Sequence, residues 1–283
     1  MELLDNWRAR RAADAPRPYA LIVAGVLVAL AAALAVLPAR WLMRFVDDDG
    51  LYAIVDASGT IWNGTALLAL GPAGARRTLP QPVSWQWTWH GVMLSHPWLG
   101  GAVRLAPAWR GLATPTFSLS AGTMRLPADI LSAFGSPVNT LAPGGNLELR
   151  WPDYDAGVAR GPELLQVQWR DASSALSIVR PLGSYRLQAV QGKGSNGKSN
   201  GKSNDGGNDR GSDGGDDVQV TLTTLNGPLK VQAIGVWNGR RLTLNGSAEP
   251  DAGASDSARA GLDTLLSAIG RRNGPQSVFG TGQ

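Results

Sequence analysis

Few residues in this 283-residue chain are equipped for chemistry, and their settings work against them. Gly192-Lys193-Gly194-Ser195-Asn196-Gly197-Lys198-Ser199 fits G-x-x-x-x-G-K-[ST], the loop that cradles nucleotide phosphates. That chemistry needs a helix opening at the Lys-Ser pair, so that its N-terminal N–H groups face the phosphates. Here the chain continues Asn-Gly-Lys-Ser-Asn-Asp-Gly-Gly, which does not propagate a helix. The match follows from Gly/Lys/Ser-rich composition, and no nucleotide partner is expected. Asp205, Asp209, Asp213, Asp216 and Asp217 lack the alternating ligands and terminal Glu of a calcium loop and read as a solvated acidic run. His90 and His96 are the two histidines, too few to complete a metal site without a third ligand of fixed geometry. The absence of Cys removes disulfides, thiolate ligands and a Cys nucleophile. Gly197-Lys198-Ser199-Asn200-Gly201 matches G-x-S-x-G only within the same low-complexity stretch and makes no strand-to-helix elbow, and H-E-x-x-H does not occur. The triplets Asn63-Gly64-Thr65 and Asn245-Gly246-Ser247 fit the N-glycosylation pattern but read more simply as hairpin turns. The expectation is a non-enzyme without cofactor or metal.

What remains is aromatic. The chain holds 11 Trp, and Val83-Ser84-Trp85-Gln86-Trp87-Thr88-Trp89 alternates strictly, placing three of them on one face of a strand. That stripe is either core or the lining of a groove for an extended apolar ligand or a partner strand, with core the preferred reading. Ile61-Trp62-Asn63-Gly64 and Val236-Trp237-Asn238-Gly239 repeat one apolar-Trp-Asn-Gly unit. Each is either a Trp packed at a strand end before a turn, or a building block shared by two similar half-sheets. Trp98 follows His96-Pro97 in another such stretch. The candidate interaction residues are therefore Trp62, Asn63, Gly64, Trp85, Trp87, Trp89, Trp98, Trp237, Asn238 and Gly239.

These residues need elements to hold them. Residues 19–37 read YALIVAGVLVALAAALAVL, without a charge, and as a helix would span about 28 Å, close to a bilayer's hydrocarbon thickness. Arg8, Arg10, Arg11 and Arg17 precede this run, so a single span would leave residues 1–18 in the cytoplasm and 38–283 across the membrane. A cleaved signal sequence would have a shorter apolar region, about 7–15 residues. Beyond Pro38 a period of two dominates, in Gly101–Leu105, Thr116–Leu119, Asn146–Trp151, Leu164–Trp169, Tyr185–Val190, Val218–Leu225, Leu229–Val236 and Leu242–Leu244. Gly and Asn-Gly turns separate them, which predicts a mainly β, antiparallel domain, stacked as a sandwich or open as a trough. Two short helices are expected, at Pro127–Phe134 and Ala258–Ile269, the latter with Leu262, Leu265, Leu266 and Ile269 at helical spacing. Residues 191–217 hold nine Gly and no large apolar side chain, and read as a disordered insertion in a hairpin. The net charge of +4, with 22 Arg among 26 basic residues, shows no basic stripe with interleaved aromatics, so no nucleic-acid partner is expected.

The order of these features resembles the protein N family of the bacterial type II secretion pathway. The likeness is carried by Leu37-Pro38-Ala39-Arg40-Trp41 at the membrane exit, Gly59-Thr60-Ile61-Trp62-Asn63-Gly64-Thr65-Ala66, the Trp-alternating strand, and His96-Pro97-Trp98-Leu99-Gly100-Gly101. Leu126-Pro127, Leu225-Asn226-Gly227-Pro228-Leu229, Val236-Trp237-Asn238-Gly239 and the helix from Leu262 to Arg272 complete it. The resemblance implies a non-catalytic, inner-membrane-anchored periplasmic component that supports export of folded proteins across the outer membrane. Its implied partners are other secretion components and the inner membrane. Such proteins are distantly similar to the β-rich AsmA-like group, which implies the alternative of a lipid-handling module with an apolar trough.

Overall fold

The computed structural model describes residues 18–44, 50, 52–72, 74, 76–110, 114–134, 138–155, 158–159, 161–192, 217–238 and 241–280. Helix α1 (Pro18–Ala35) leads into a 3-10 turn (Ala39–Arg44). Then follow β1 (Tyr52–Gly59), β2 (Asn63–Leu70), β3 (Arg77–Thr78), β4 (Val83–Thr88), β5 (Gly91–Ser95), β6 (Val103–Arg110) and β7 (Thr114–Leu119). Strand β8 (Gly122–Pro127), a second 3-10 turn (Ala128–Phe134) and the short α2 (Val138–Leu141) precede β9 (Gly144–Trp151), β10 (Tyr154–Asp155) and β11 (Val158–Ala159). The chain ends through β12 (Glu163–Ser173), β13 (Gly183–Gln191), β14 (Val218–Asn226), β15 (Leu229–Trp237), β16 (Leu242–Pro250), α3 (Asp256–Ile269), β17 (Arg271–Asn273) and β18 (Gln276–Gly280). The protein is mainly β and antiparallel, as its alternation predicts.

Among the described residues the strands form two nine-stranded sheets. The N-terminal one runs β1-β2-β4-β5-β6-β7-β10-β11 with β3 beside β2, and the C-terminal one runs β17-β18-β16-β15-β14-β13-β12-β9-β8. The two are parts of one winding ladder. Leu119 pairs with Tyr154 and Gly122 with Trp151, so β7–β8 and β9–β10 keep a common register through a bend. Asp153 closes that bend by accepting from the Ala121 N–H at 2.7 Å, and the Trp151 indole donates to Ser120 O at 3.0 Å. The segment after β5 runs along the free edge of β8: Arg125 N–H donates to Trp98 O (2.7 Å) and Gly100 N–H to Thr123 O (2.9 Å).

Each sheet has its own core. In the C-terminal sheet, Trp169 pairs with Leu147 and Tyr185, and Val167 with Leu149 and Leu187, which sets one face apolar. Helix α3 covers part of it. Ser255 caps its start by accepting from Ala258 N–H, and Leu262, Leu265 and Leu266 bury against Leu182, Leu229 and Ala248. In the N-terminal sheet, the 3-10 turn after α1 seats Ala39 on Ala57, Ala66 and Trp85.

Two expectations are corrected. Residues 19–37 do not form one continuous helix: α1 ends at Ala35, and no helix among the described residues is long and apolar enough to cross a membrane. The end is set by tertiary bonding. Leu37 O accepts from Ile61 N–H at 3.0 Å and Pro38 bridges to Thr60, which draws both residues into the sheet edge. Asn63-Gly64 and Asn245-Gly246 are not the hairpin turns expected: Gly64 pairs with Gly59 inside a ladder, and Gly246 with Ala233 in mid-strand. The segment expected as an insertion leaves and returns at neighbouring points, since Gln191 pairs with Val218 and Gly192 N–H donates to Asp217 O. Residues 193–216, with most of the phosphate-loop match, lie outside the described residues.

Candidate functional site

The tryptophans meet where α1 joins the N-terminal sheet. Gly59 at φ +83° opens the turn of the β1–β2 hairpin, and Thr60 N–H donates to Asn63 O at 2.9 Å to close it. This turn holds the end of the helix. The Trp62 indole donates to Leu34 O at 2.8 Å, and Arg40 reaches Ala57 O at 3.4 Å and the Asp56 carboxylate at 3.6 Å. Trp85 lies beneath, buried, its indole donating to Ile61 O at 2.9 Å. Gly64 is required there, because a Cβ would stand 2.7 Å from the Trp85 ring and 2.6 Å from Ser58 O.

The Trp stripe is neither wholly core nor a groove lining. Trp85 and Trp87 share a face of β4, whereas Trp89 lies past the strand end, and exposure rises from 9% at Trp85 to 52% at Trp87 and 102% at Trp89. Trp87 crosses Trp62 edge-on at 5.5 Å and 75°, and its N–H donates to Trp62 O. The structure thus brings Trp62, Asn63, Gly64, Trp85 and Trp87 together, with Trp89 past them at the β4–β5 turn.

The other candidates are elsewhere. Trp98 packs edge-on against His96 at 4.9 Å, and both imidazole nitrogens are used: Nδ1 accepts from Trp98 N–H and Nε2 lies 3.2 Å from Gln81 O. His96 is therefore structural, and no group of three or more His, Cys, Asp or Glu capable of holding a metal occurs among the described residues. Trp237 ends β15 and pairs with Leu242, while Asn238 accepts from Arg241 N–H at 2.8 Å to close the next turn. Gly239 lies outside the described residues. The two Trp-Asn-Gly units are not equivalent, since Asn63-Gly64 begins a strand and Asn238 follows one.

A charged cluster is hidden in the sequence, where the Arg residues look scattered. On the polar face of the C-terminal sheet, buried Glu148 meets Arg150 at 2.6 Å, Arg170 at 2.9 Å and Arg125 at 3.7 Å. A cleft of about 510 Å³ opens beside it, lined by Arg125, Glu148, Arg170 and Asp171. The Arg150 hydrogen bond, helped by the charges of Arg170 and Arg125, holds the Glu148 carboxyl below its ordinary pKa despite burial. The i, i+2 spacing of Glu148 and Arg150 gave the only local signal; the other two Arg arrive through strand pairing.

On the opposite face an apolar cavity of about 200 Å³ lies under α3, lined by Trp169, Tyr185, Leu222, Val231, Leu265 and Phe279. The Tyr185 hydroxyl lies between the carbonyls of Leu182 and Leu229, and burial pushes its pKa up.

Searches of curated proteins and of solved structures matched nothing. One family model does match, over residues 51–278, which takes in both sheets and α3 but not α1. That match spans most of the chain. The protein belongs to the type II secretion system protein N family, whose members are components of the type II secretion apparatus in the cell envelope.

Proposed function

We propose that this chain is a non-catalytic structural component of the secretion apparatus. It is attached to the inner membrane through α1 and presents its sheets on the periplasmic side. The observation that carries this reading is the grip of the β1–β2 hairpin on the helix end, through Trp62 to Leu34 O and Ile61 to Leu37 O. A flexible tether would let the domain tumble; bonds this close to the last helical turn give the sheets one orientation to whatever holds the helix. The helix suits a lipid setting, since its side chains from Tyr19 onward are exposed and none from Tyr19 to Ala35 is charged. Its 18 residues reach about 27 Å, a few ångström short of the roughly 30 Å hydrocarbon core. The four Arg at residues 8, 10, 11 and 17 favour a cytoplasmic N-terminus.

The test pairs topology with secretion. Alkaline phosphatase fused after Gln283 is expected to be active, and β-galactosidase at the same site inactive. In cells lacking the chain, export is expected to recover with the full protein but not with one whose residues 18–35 are replaced by a cleavable signal sequence. Equal rescue by that version would remove membrane attachment from the role.

The lipid-handling alternative rests on the apolar cavity under α3. At about 200 Å³ it is smaller than the roughly 300–1,000 Å³ of small-molecule pockets, and a lipid needs more. The structural role is therefore preferred. Mass spectrometry of the protein extracted without detergent tests this choice; a stoichiometric bound lipid would reverse it.

A further inference from the structure

The aromatic end of the N-terminal sheet leaves Trp87 and Trp89 more than half exposed. We propose that Trp41, Trp62, Trp87 and Trp89 form an interfacial belt that seats this end of the sheet in the headgroup layer of the phospholipid membrane receiving α1. The inference rests on the membrane attachment proposed above and adds the partner surface. Position carries it. Trp62 donates its indole N–H to Leu34 O, so its ring lies at the depth of the last turn of α1. Trp87 packs 5.5 Å from Trp62, and Trp89 follows just past the end of β4, fully exposed in the β4–β5 turn. The headgroup region on each side of a bilayer is roughly 5–7 Å thick, comparable with the 5.5 Å between the Trp62 and Trp87 rings.

Exposure and chemistry agree with that setting. Trp41 is 49% exposed and carries the Arg44 guanidinium over its ring at 5.7 Å, which pairs an apolar body with a cation suited to lipid phosphate. Trp87 and Trp89 leave more of their rings in water than their share of the core explains, since the buried cluster is complete with Trp85. Indoles with one apolar face and one N–H are favoured at the membrane–water boundary. A protein partner would not need these rings level with a helix end; a lipid layer does.

The experiment uses the full chain in phosphatidylethanolamine/phosphatidylglycerol vesicles whose acyl chains are brominated either near the headgroup or near the terminal methyl. Shallow bromine is expected to quench part of the tryptophan emission, and deep bromine much less. In Trp87→Phe/Trp89→Phe the shallow-quenched part should fall about twofold, and in Trp89→Phe alone by about a quarter; the latter has no packing to lose. Protein that floats with the vesicles but shows the same shallow quenching in wild type and variants would overturn the belt while leaving membrane attachment standing. Protein that does not float with the vesicles would overturn both.

Discussion

The two sheets solve the same problem with different materials. In the N-terminal sheet the buried cluster is Ala39, Ala57, Ala66 and Trp85, under a six-residue 3-10 turn. In the C-terminal sheet it is Leu182, Leu229, Ala248, Leu262, Leu265 and Leu266, under a 14-residue helix. A short cover leaves much of the apolar face open, so side chains such as Trp87 and Phe117 stay more than half exposed. A longer amphipathic cover brings Leu262 and Leu266 to full burial. The difference teaches that one face is finished by the chain itself and the other is left for contact.

The largest effect should follow from Trp85→Ala. Three of the four buried members of its cluster are alanines, so most large buried volume in that half goes with this ring. A loss of about 4 kcal/mol is expected from urea unfolding in detergent. A loss below about 1 kcal/mol would show that the N-terminal half does not depend on this core.

Next comes Leu262→Ala, expected to cost about 3 kcal/mol because five other residues of its cluster remain. Amide exchange sharpens the comparison. Leu262→Ala should accelerate exchange mainly in β15, β16 and β18, and Trp85→Ala mainly in β1, β2 and β4. Equal acceleration everywhere would mean that the ladder through Leu119–Tyr154 and Gly122–Trp151 makes both sheets one cooperative unit.

Glu148→Gln should cost about 2 kcal/mol at neutral pH, since charged hydrogen bonds to Arg150 and Arg170 are lost. Its pH dependence has a definite sign. The folded pKa is held below the ordinary 4.5, so the contribution is complete above that value and is lost as pH falls through the lower folded value. Acid titration should therefore bring wild type and Glu148→Gln together. A gap that persists or widens in acid would mean that the carboxylate is not what stabilises the cluster.

The smallest change is Trp62→Phe, which keeps the ring stack on Trp87 but removes the bond to Leu34 O. About 1 kcal/mol is expected, with amide exchange rising at Val36 and Leu37 rather than within the sheet. No change there would detach the hairpin from the helix end.

Much of this was readable in residues. Alternation placed strands from Val83 onward, and helical spacing named the three leucines that α3 buries, because both patterns are local consequences of side-chain direction. The first two strands were harder: Tyr52–Gly59 carries Asp56 and Ser58 among its apolar residues, and Asn63-Gly64 imitates a turn. For the site, the sequence marks Trp62, Trp85 and Trp87 but marks Trp98 and Trp237 equally, since spacing does not say which rings meet. The Glu148 cluster left almost no trace, as its arginines lie on three strands.

By itself the sequence determined a mainly β antiparallel chain behind an apolar helix, its family, and the shared face of Trp85 and Trp87, because period and turn chemistry act over a few residues. Only the tertiary structure decided where α1 stops, which tryptophan is buried, and that Arg125, Arg150 and Arg170 surround one carboxylate. The reason is physical: alternation assigns a side chain to a face, whereas depth and charge partners depend on what covers that face and which strands lie alongside.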